Sequence, residues 1–287
     1  MADKKVTIPD IRAAKADGRP LVMVTAYDYP FGLMAAEAGV DIVLVGDSLG
    51  MVVMGLEGTV EVTMAHMIHH IRAVMRGCRG PLVVGDMPFM SYNIAVRDAI
   101  SNAGRLMKEG GCDAVKLEGG TDFAPTVAAI VKAGIPVQGH VGLTPQTAGA
   151  LGGFKTQGRD ARAALQIIDD ARALEDAGAF SIILEAVPAP LGKLVAASVS
   201  VPVIGIGAGA DVDGQVLVTH DMVGLFDKFV PKFVKQYTQI RPVILEALGR
   251  YKTEVQSKNF PGPAHSFSMS EETLAELKAM IADGGGK

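Results

Sequence analysis

Eight short apolar runs recur along the chain, each ending in polar or glycine residues. They are LVMVTAYD (21–28), DIVLVGDS (41–48), PLVVGDMP (81–88), DAVKLEGG (113–120), IPVQGHVG (135–142), FSIILEAVP (180–188), VPVIGIGAG (201–209) and GQVLVTHDMVG (214–224). Unbroken apolarity, in place of alternation, is what a parallel strand needs when both of its faces are covered. The β-branched residues and the Gly and Pro flanks favour strand over buried helix. Helical patterns lie between the runs. Met64, Met67, Ile68, Ile71, Val74 and Met75 fall at helical spacing, with Arg72 and Arg76 on another face. Residues 160–177 are rich in helix formers and stop at Gly178 as a C-cap. Residues 93–109 stop at Gly110-Gly111, and 121–133 starts on Thr121 as an N-cap. Eight strands alternating with helices predict an α/β protein, a (β/α)8 TIM barrel.

Extra helices are expected at the C-terminal end. Residues 232–256 read as one helix or a broken pair, and 270–283 starts on Ser270 with Thr273 where a capping box prefers Glu. The span 1–287 reads as a single barrel domain, with 259–287 as a C-terminal extension. Its length and its 49% hydrophobic content suit one well-packed barrel of this class. A net charge of −4 gives no general attraction to nucleic acid or anionic lipid, so neither is expected as a partner. The longest apolar runs are strand-length, far below the ~20 residues that span a bilayer. No apolar core of signal-peptide length stands near residue 1, and Cys78 and Cys112 form no Cys-x-x-Cys pair. A cytoplasmic, reducing location follows as an expectation.

A TIM barrel carries its chemistry at the C-terminal ends of its strands. The polar residues that close the runs are therefore the candidates: Asp28, Asp47, Ser48, Asp86, Lys116, Glu118, His140 and Glu185. A carboxylate placed there costs several kcal/mol of desolvation unless it is paired or metal-bound. Several converging carboxylates argue for a cation among them. Oxygen donors without a matching Cys or His cluster suit Mg²⁺, Mn²⁺ or Ca²⁺. Lys116 and Glu118 stand two apart on one strand and so face the same side, with Val115 and Leu117 facing the other. The bland readings are loop caps and ion pairs, and any one of these acids alone fits them. His66, His69 and His70 include an i, i+4 pair that reads as a solvated helix face before it reads as a metal site. GIGAGA (205–210) has the form of a dinucleotide fingerprint, but another strand follows it where that fold needs a helix. Its glycines read as a tight loop.

VGDSLGMVVMG (45–55), DMPFMSY (86–92), VKLEGG (115–120), GHVGLTPQ (139–146), LEAVP (184–188), PVIGIGAG (202–209), DGQVLV (213–218) and HSF (265–267) closely resemble the ketopantoate hydroxymethyltransferase family. The matches run in order from about residue 7 to 267. The resemblance implies a (β/α)8 barrel that uses Mg²⁺. It further implies transfer of a hydroxymethyl group from 5,10-methylenetetrahydrofolate to 3-methyl-2-oxobutanoate through a metal-stabilised enolate, giving 2-dehydropantoate on the way to pantothenate and coenzyme A. It assigns Asp47 and Asp86 to the metal and to substrate, and Glu118 to the metal site. Ser48 and Lys116 would bind substrate, and Glu185 would be the proton acceptor. Tyr27, Asp28 and His140 lie in segments that line the site, and the assembly would be a homodecamer. Two other readings remain, a Mg²⁺-dependent 2-oxo acid lyase or aldolase on the same barrel and a non-catalytic binding protein. Thr59-Val60-Glu61-Val62-Thr63 stands where the family reads Thr-Leu-Pro-Val-Thr, and His66 follows where an acidic residue is common. That departure puts the loop's shape in question and leaves the metal residues untouched. The tail beyond Phe267 carries no resemblance.

Overall fold

All eight apolar runs form parallel strands in the computed structural model, which describes residues 5–149 and 152–284. They are β1 (Leu21–Thr25), β2 (Ile42–Val45), β3 (Leu82–Asp86), β4 (Ala114–Glu118), β5 (Val137–Gly142), β6 (Ser181–Glu185), β7 (Val203–Ile206) and β8 (Gly214–Leu217). The strands follow one another in sequence order, and β8 pairs with β1 to close the barrel. The predicted α/β barrel is present.

The unbroken apolarity of the runs now has its reason, because alternate residues serve two different cores. Leu21, Met23, Ile42, Leu44, Leu82, Val84, Ala114, Ile183, Ile204 and Val216 fill the interior. Their neighbours Val43, Val45, Val83, Val115, Leu117, Ile182, Leu184 and Val203 pack outward into the helical layer. Each such side chain, fully buried, contributes about 1.5–3 kcal/mol. Helix α1 (Ile8–Ala16) buries Ile11 and Ala14 against the interior cluster, next to Phe180. Thr7 and Asp10 form a capping box that starts this helix.

Helices α2 (Tyr29–Glu37), α3 (Leu49–Val52), α4 (Met64–Gly77), α5 (Val96–Arg105), α6 (Ala124–Lys132), α7 (Ala161–Asp176) and α8 (Ala189–Ser198) follow strands β1 to β6, and the short α9 (Thr219–Met222) follows β8. The 93–109 segment is shorter in its α part than expected, because it passes into a π-helical turn at Leu106–Gly110. Thr121 does not cap α6. Its N–H and hydroxyl both donate to Asp170 Oδ1, at 2.9 and 2.8 Å, and a 3-10 turn (Thr121–Phe123) precedes the helix. No helix joins β7 to β8. The seven residues 207–213 make that connection, held by Asp213, whose carboxylate accepts from the Val203 N–H and meets Lys15 Nζ at 2.9 Å. Gly207 allows the tight exit from β7. It has φ +66°, and a Cβ there would lie 2.6 Å from the Phe233 ring.

The chain divides into two compact units, one ending at Thr238 and one beginning at Gln239. The second holds α10 (Ile240–Gln256) and α11 (Glu271–Ala282). The helix expected over 232–256 starts only at Ile240. Pro242 stands in its first turn, where a missing N–H costs nothing. Ser270 does cap α11, accepting from the Thr273 N–H at 3.1 Å. No described helix is long and apolar enough to cross a membrane.

Candidate active site

The strand parity that fills the barrel also aims its polar side chains. Asp86, Lys116, Glu118, His140 and Glu185 occupy inward positions at the C-terminal ends of β3, β4, β5 and β6. Pairing sets Asp86 beside Lys116 and Glu118 beside His140. Asp47 follows β2 after Gly46, in the turn that leads into α3. With Ser48, these residues line one cavity of about 780 Å³. Seven of the eight strand-end candidates, His140 among them, thus meet in one place.

Their contacts form a chain. Lys116 Nζ lies 2.8 Å from Asp86 Oδ1 and 3.8 Å from Glu118 Oε1. His140 Nδ1 lies 3.5 Å from Glu118 Oε1, and its Nε2 lies 3.3 Å from Glu185 Oε2. Asp86 Oδ2 accepts from the Asp47 N–H at 3.2 Å. Ser48 Oγ is 2.8 Å from the hydroxyl of buried Tyr27, which therefore backs the site through Ser48 and does not itself line the cavity. Asp28 is placed elsewhere. Its carboxylate caps α2 by accepting from the Phe31 N–H at 2.8 Å, outside the cavity lining.

Two residues that sequence reasoning passed over tie the acids together. Gln146 Nε2 donates to Asp47 Oδ2 at 2.8 Å and to the Met87 carbonyl at 2.9 Å, and its backbone N–H donates to Glu118 Oε2 at 3.0 Å. Tyr92 donates its hydroxyl proton to Gln146 Oε1 at 2.7 Å and accepts from the Glu118 N–H at 3.3 Å. Both residues are buried. A search for charged groups at strand ends misses a neutral amide four residues past Gly142, although that loop obeys the same positional rule.

Burial and mutual repulsion govern the protonation of the acids. Asp47 is pushed well above the usual carboxylate range by burial, then by Asp86 and Glu118. Burial raises Asp86 as well, and the Lys116 ammonium only partly offsets it. Glu118 is the exception. Burial works against its ionisation, yet the His140 hydrogen bond and Lys116 hold it below its ordinary value. Burial and Lys116 disfavour the His140 imidazolium, but its hydrogen bonds to the Glu118 and Glu185 carboxylates outweigh them and push it up to about 9. Lys116 is raised too, with three carboxylates prevailing over its burial.

Four carboxyl groups therefore share one lysine and one histidine, and ionising all four would leave an excess of negative charge in a buried site. The donor set fits a hard divalent cation. Among the described residues, no three His, Cys, Asp or Glu side chains converge into a complete chelate. A magnesium ion does not need one, since it takes one or two carboxylates and fills the rest with water or substrate oxygens. Asp47 and Asp86 are the pair whose ionised forms most need such a charge. Glu118, already stabilised by His140, Lys116 and Gln146, has less need of it.

The C-terminal end of β6 is also distinctive. Ala186, next to Glu185, has φ +49°, a left-handed conformation costing about 1 kcal/mol for a residue with a Cβ. Its N–H donates to the Ile206 carbonyl at 2.8 Å, and its own carbonyl accepts from the Gln157 N–H at 2.9 Å. Gly142, with φ +92°, lets β5 approach the Glu185 carbonyl where any Cβ would collide. The turn holding Glu185 is thus fixed from both neighbouring strands.

The remaining expectations also find their places. Thr59 and Val62 are buried in the divergent loop, while Val60 and Glu61 point outward. His66 takes the N3 place of the α4 capping box, its Nδ1 accepting from the Thr63 N–H at 3.2 Å. An imidazole there does the work of the acid that is common in the family. His70 instead contacts the Tyr27 carbonyl at 2.6 Å, so the histidine pair has two structural tasks.

Known proteins resemble this chain over nearly its whole length. A family profile described as ketopantoate hydroxymethyltransferase matches residues 5–263. The 3-methyl-2-oxobutanoate hydroxymethyltransferase of Heliobacterium modesticaldum is 58% identical over 269 residues, covering 94% of this chain and 98% of that protein. The protein of the same name from Carboxydothermus hydrogenoformans is 52% identical, covering 95% and 99%. Among solved structures, a phosphonopyruvate hydrolase superposes with TM-score 0.60 at 13% identity, covering 97% of this chain and 99% of its own. A 2,3-dimethylmalate lyase of the PEP mutase/isocitrate lyase superfamily gives 0.58 at 15%, covering 97% and 99%. These two share the barrel fold. The coverage and identity of the sequence relatives settle the family: the chain belongs to the ketopantoate hydroxymethyltransferases.

Proposed function

We propose that this enzyme transfers a hydroxymethyl group to 3-methyl-2-oxobutanoate, with Mg²⁺ at Asp47 and Asp86 and 5,10-methylenetetrahydrofolate as the one-carbon donor. The observation that carries the reading is the crowding of buried Asp47, Asp86 and Glu118 around a single lysine, beside a separate, half-buried Glu185. When bound, the magnesium ion supplies Lewis acidity to the 2-oxo group of the substrate.

The chain's own groups do the rest. Ser48 and Lys116 hold the substrate, Lys116 by countering its carboxylate. Glu185 takes the proton from C3, and His140 orients it through the 3.3 Å contact with Oε2. Gln146 and Tyr92 fix Asp47 and Glu118 before substrate arrives, so no reorganisation is needed during the reaction. The C3 carbon has one hydrogen and becomes quaternary once the new bond forms. No elimination can then free a folate amine from it, so the one-carbon unit takes up its water before it meets C3. Methylenetetrahydrofolate, water and 3-methyl-2-oxobutanoate thus give tetrahydrofolate and 2-dehydropantoate in equal amounts.

A turnover assay with 3-methyl-2-oxobutanoate, with and without Mg²⁺ and methylenetetrahydrofolate, tests this. Equal release of 2-dehydropantoate and tetrahydrofolate, abolished by EDTA, is expected. Cleavage of a 2-oxo acid without folate would instead identify a lyase.

A further inference from the structure

Among the described residues, Asp221 is the one carboxylate lining the cavity that has no part in the proposed reaction. It lies in α9, just after β8, and is only 7% exposed. Its Oδ1 is buried with no hydrogen-bond partner. A carboxylate buried in this way costs free energy unless a ligand supplies donors to it. Burial alone pushes it up to about 6, so it is still ionised at neutral pH.

The walls around it suit a particular ligand. Phe226, Phe229 and Phe233 line the same cavity, and so do the exposed Lys155 and Lys232. Phe229 is 63% exposed, although it borders a cavity. Open aromatic faces on a cavity wall are stacking surfaces for a flat ring. Tyr27 has its hydroxyl on Ser48 and its ring 5.2 Å from the His220 ring, and it feels the charges of both Asp221 and Asp47. The unused carboxylate therefore lines the same cavity as the metal-side acids, with Tyr27 within electrostatic reach of both.

We propose that Asp221 recognises the co-substrate, pairing its carboxylate with the 2-amino and ring N–H donors of a planar 2-amino-4-oxopyrimidine ring. The phenylalanines stack on that ring, and Lys155 and Lys232 meet an anionic tail at the mouth of the cavity. The inference rests on the folate-donor reading and gives it a residue. A carboxylate accepting two parallel N–H bonds is the arrangement that discriminates best against an analogue lacking one donor.

Equilibrium binding of tetrahydrofolate and of its 2-desamino analogue, to the wild type and to Asp221→Asn, tests it. The wild type should bind tetrahydrofolate 10- to 100-fold more tightly than the analogue, a discrimination that needs no variant to fold. Asp221→Asn should lose affinity for tetrahydrofolate by a similar factor and bind the two ligands about equally. Wild type that does not distinguish the ligands overturns the proposal, as does a variant that loses both equally. Wild type that exchanges the C3 proton of the 2-oxo acid yet binds no tetrahydrofolate would overturn the donor reading, and the role of Asp221 with it.

Discussion

The two ends of the barrel interior are built from the same strands and solve opposite problems. At the N-terminal end Leu21, Met23, Leu82 and Phe180 pack against Ile11 of α1, with no charge among them. At the other end, a few residues along the same strands, Asp86, Lys116, Glu118 and His140 are as deeply buried but carry charge. The first end stabilises the fold through apolar burial. The second is costly in the absence of a counter-charge, and that cost is what a cation and substrate would relieve. Stability and chemistry are thus separated along the barrel axis and should respond to different substitutions.

The largest effect belongs to the apolar end. Phe180→Ala should lower unfolding free energy by about 3–5 kcal/mol, measured in urea, while leaving turnover per folded molecule nearly unchanged. Substitution at the charged end should do the reverse. Asp47→Asn should cut turnover by about 10²–10³-fold, equivalent to about 3–4 kcal/mol, without lowering the melting temperature of the metal-free enzyme. An equal loss of stability in that variant would remove the distinction between the two ends.

Linkage to pH sharpens the same contrast. Asp47 and Asp86 are raised above their unfolded values, so ionising them destabilises the folded state. That penalty is absent below the unfolded pKa, near 3.8, and grows as pH climbs through the raised values. Added Mg²⁺ should therefore stabilise the enzyme by about 2.7 kcal/mol at pH 7.5, at a hundred times its Kd there, and by less at pH 4. Thermal melts with and without Mg²⁺ at both pH values check this.

Gln146→Ala should weaken Mg²⁺ binding by about 10–100-fold in calorimetry, as outer partners of metal ligands generally do. Asp221→Asn should give the smallest change in stability. Its carboxyl is raised from 3.8 to about 6, so its ionisation penalty is absent below pH 4 and complete above pH 6. The variant should gain roughly 1 kcal/mol at pH 7.5, allowing for screening by solvent, and nothing at pH 4.

The barrel was legible because its signal is repeated. Eight runs with two buried faces leave little other architecture open, and the strand-end rule picks out carboxylates that one cavity gathers, Asp28 excepted. Lys116 and Glu118 face inward together, as their spacing requires, with Val115 and Leu117 outside. What escaped depends on contacts between distant segments. Gln146 matters because a loop after β5 folds across to Asp47, 99 residues away. Asp28 satisfies the same positional rule as Asp47, yet local capping of α2 takes it. Thr121 resembles an N-cap, but Asp170 of α7 outcompetes the helix for its hydroxyl. Neither periodicity nor composition carries such long-range competition.

The central claim is that the charged end of the barrel exists to remove one proton. Exchange of the C3 proton of 3-methyl-2-oxobutanoate with deuterated solvent, followed by NMR without folate, measures this directly. The account predicts Mg²⁺-dependent exchange in the wild type and none in Glu185→Gln, although that variant still binds the 2-oxo acid. Normal exchange in Glu185→Gln, or in wild type treated with EDTA, would contradict it.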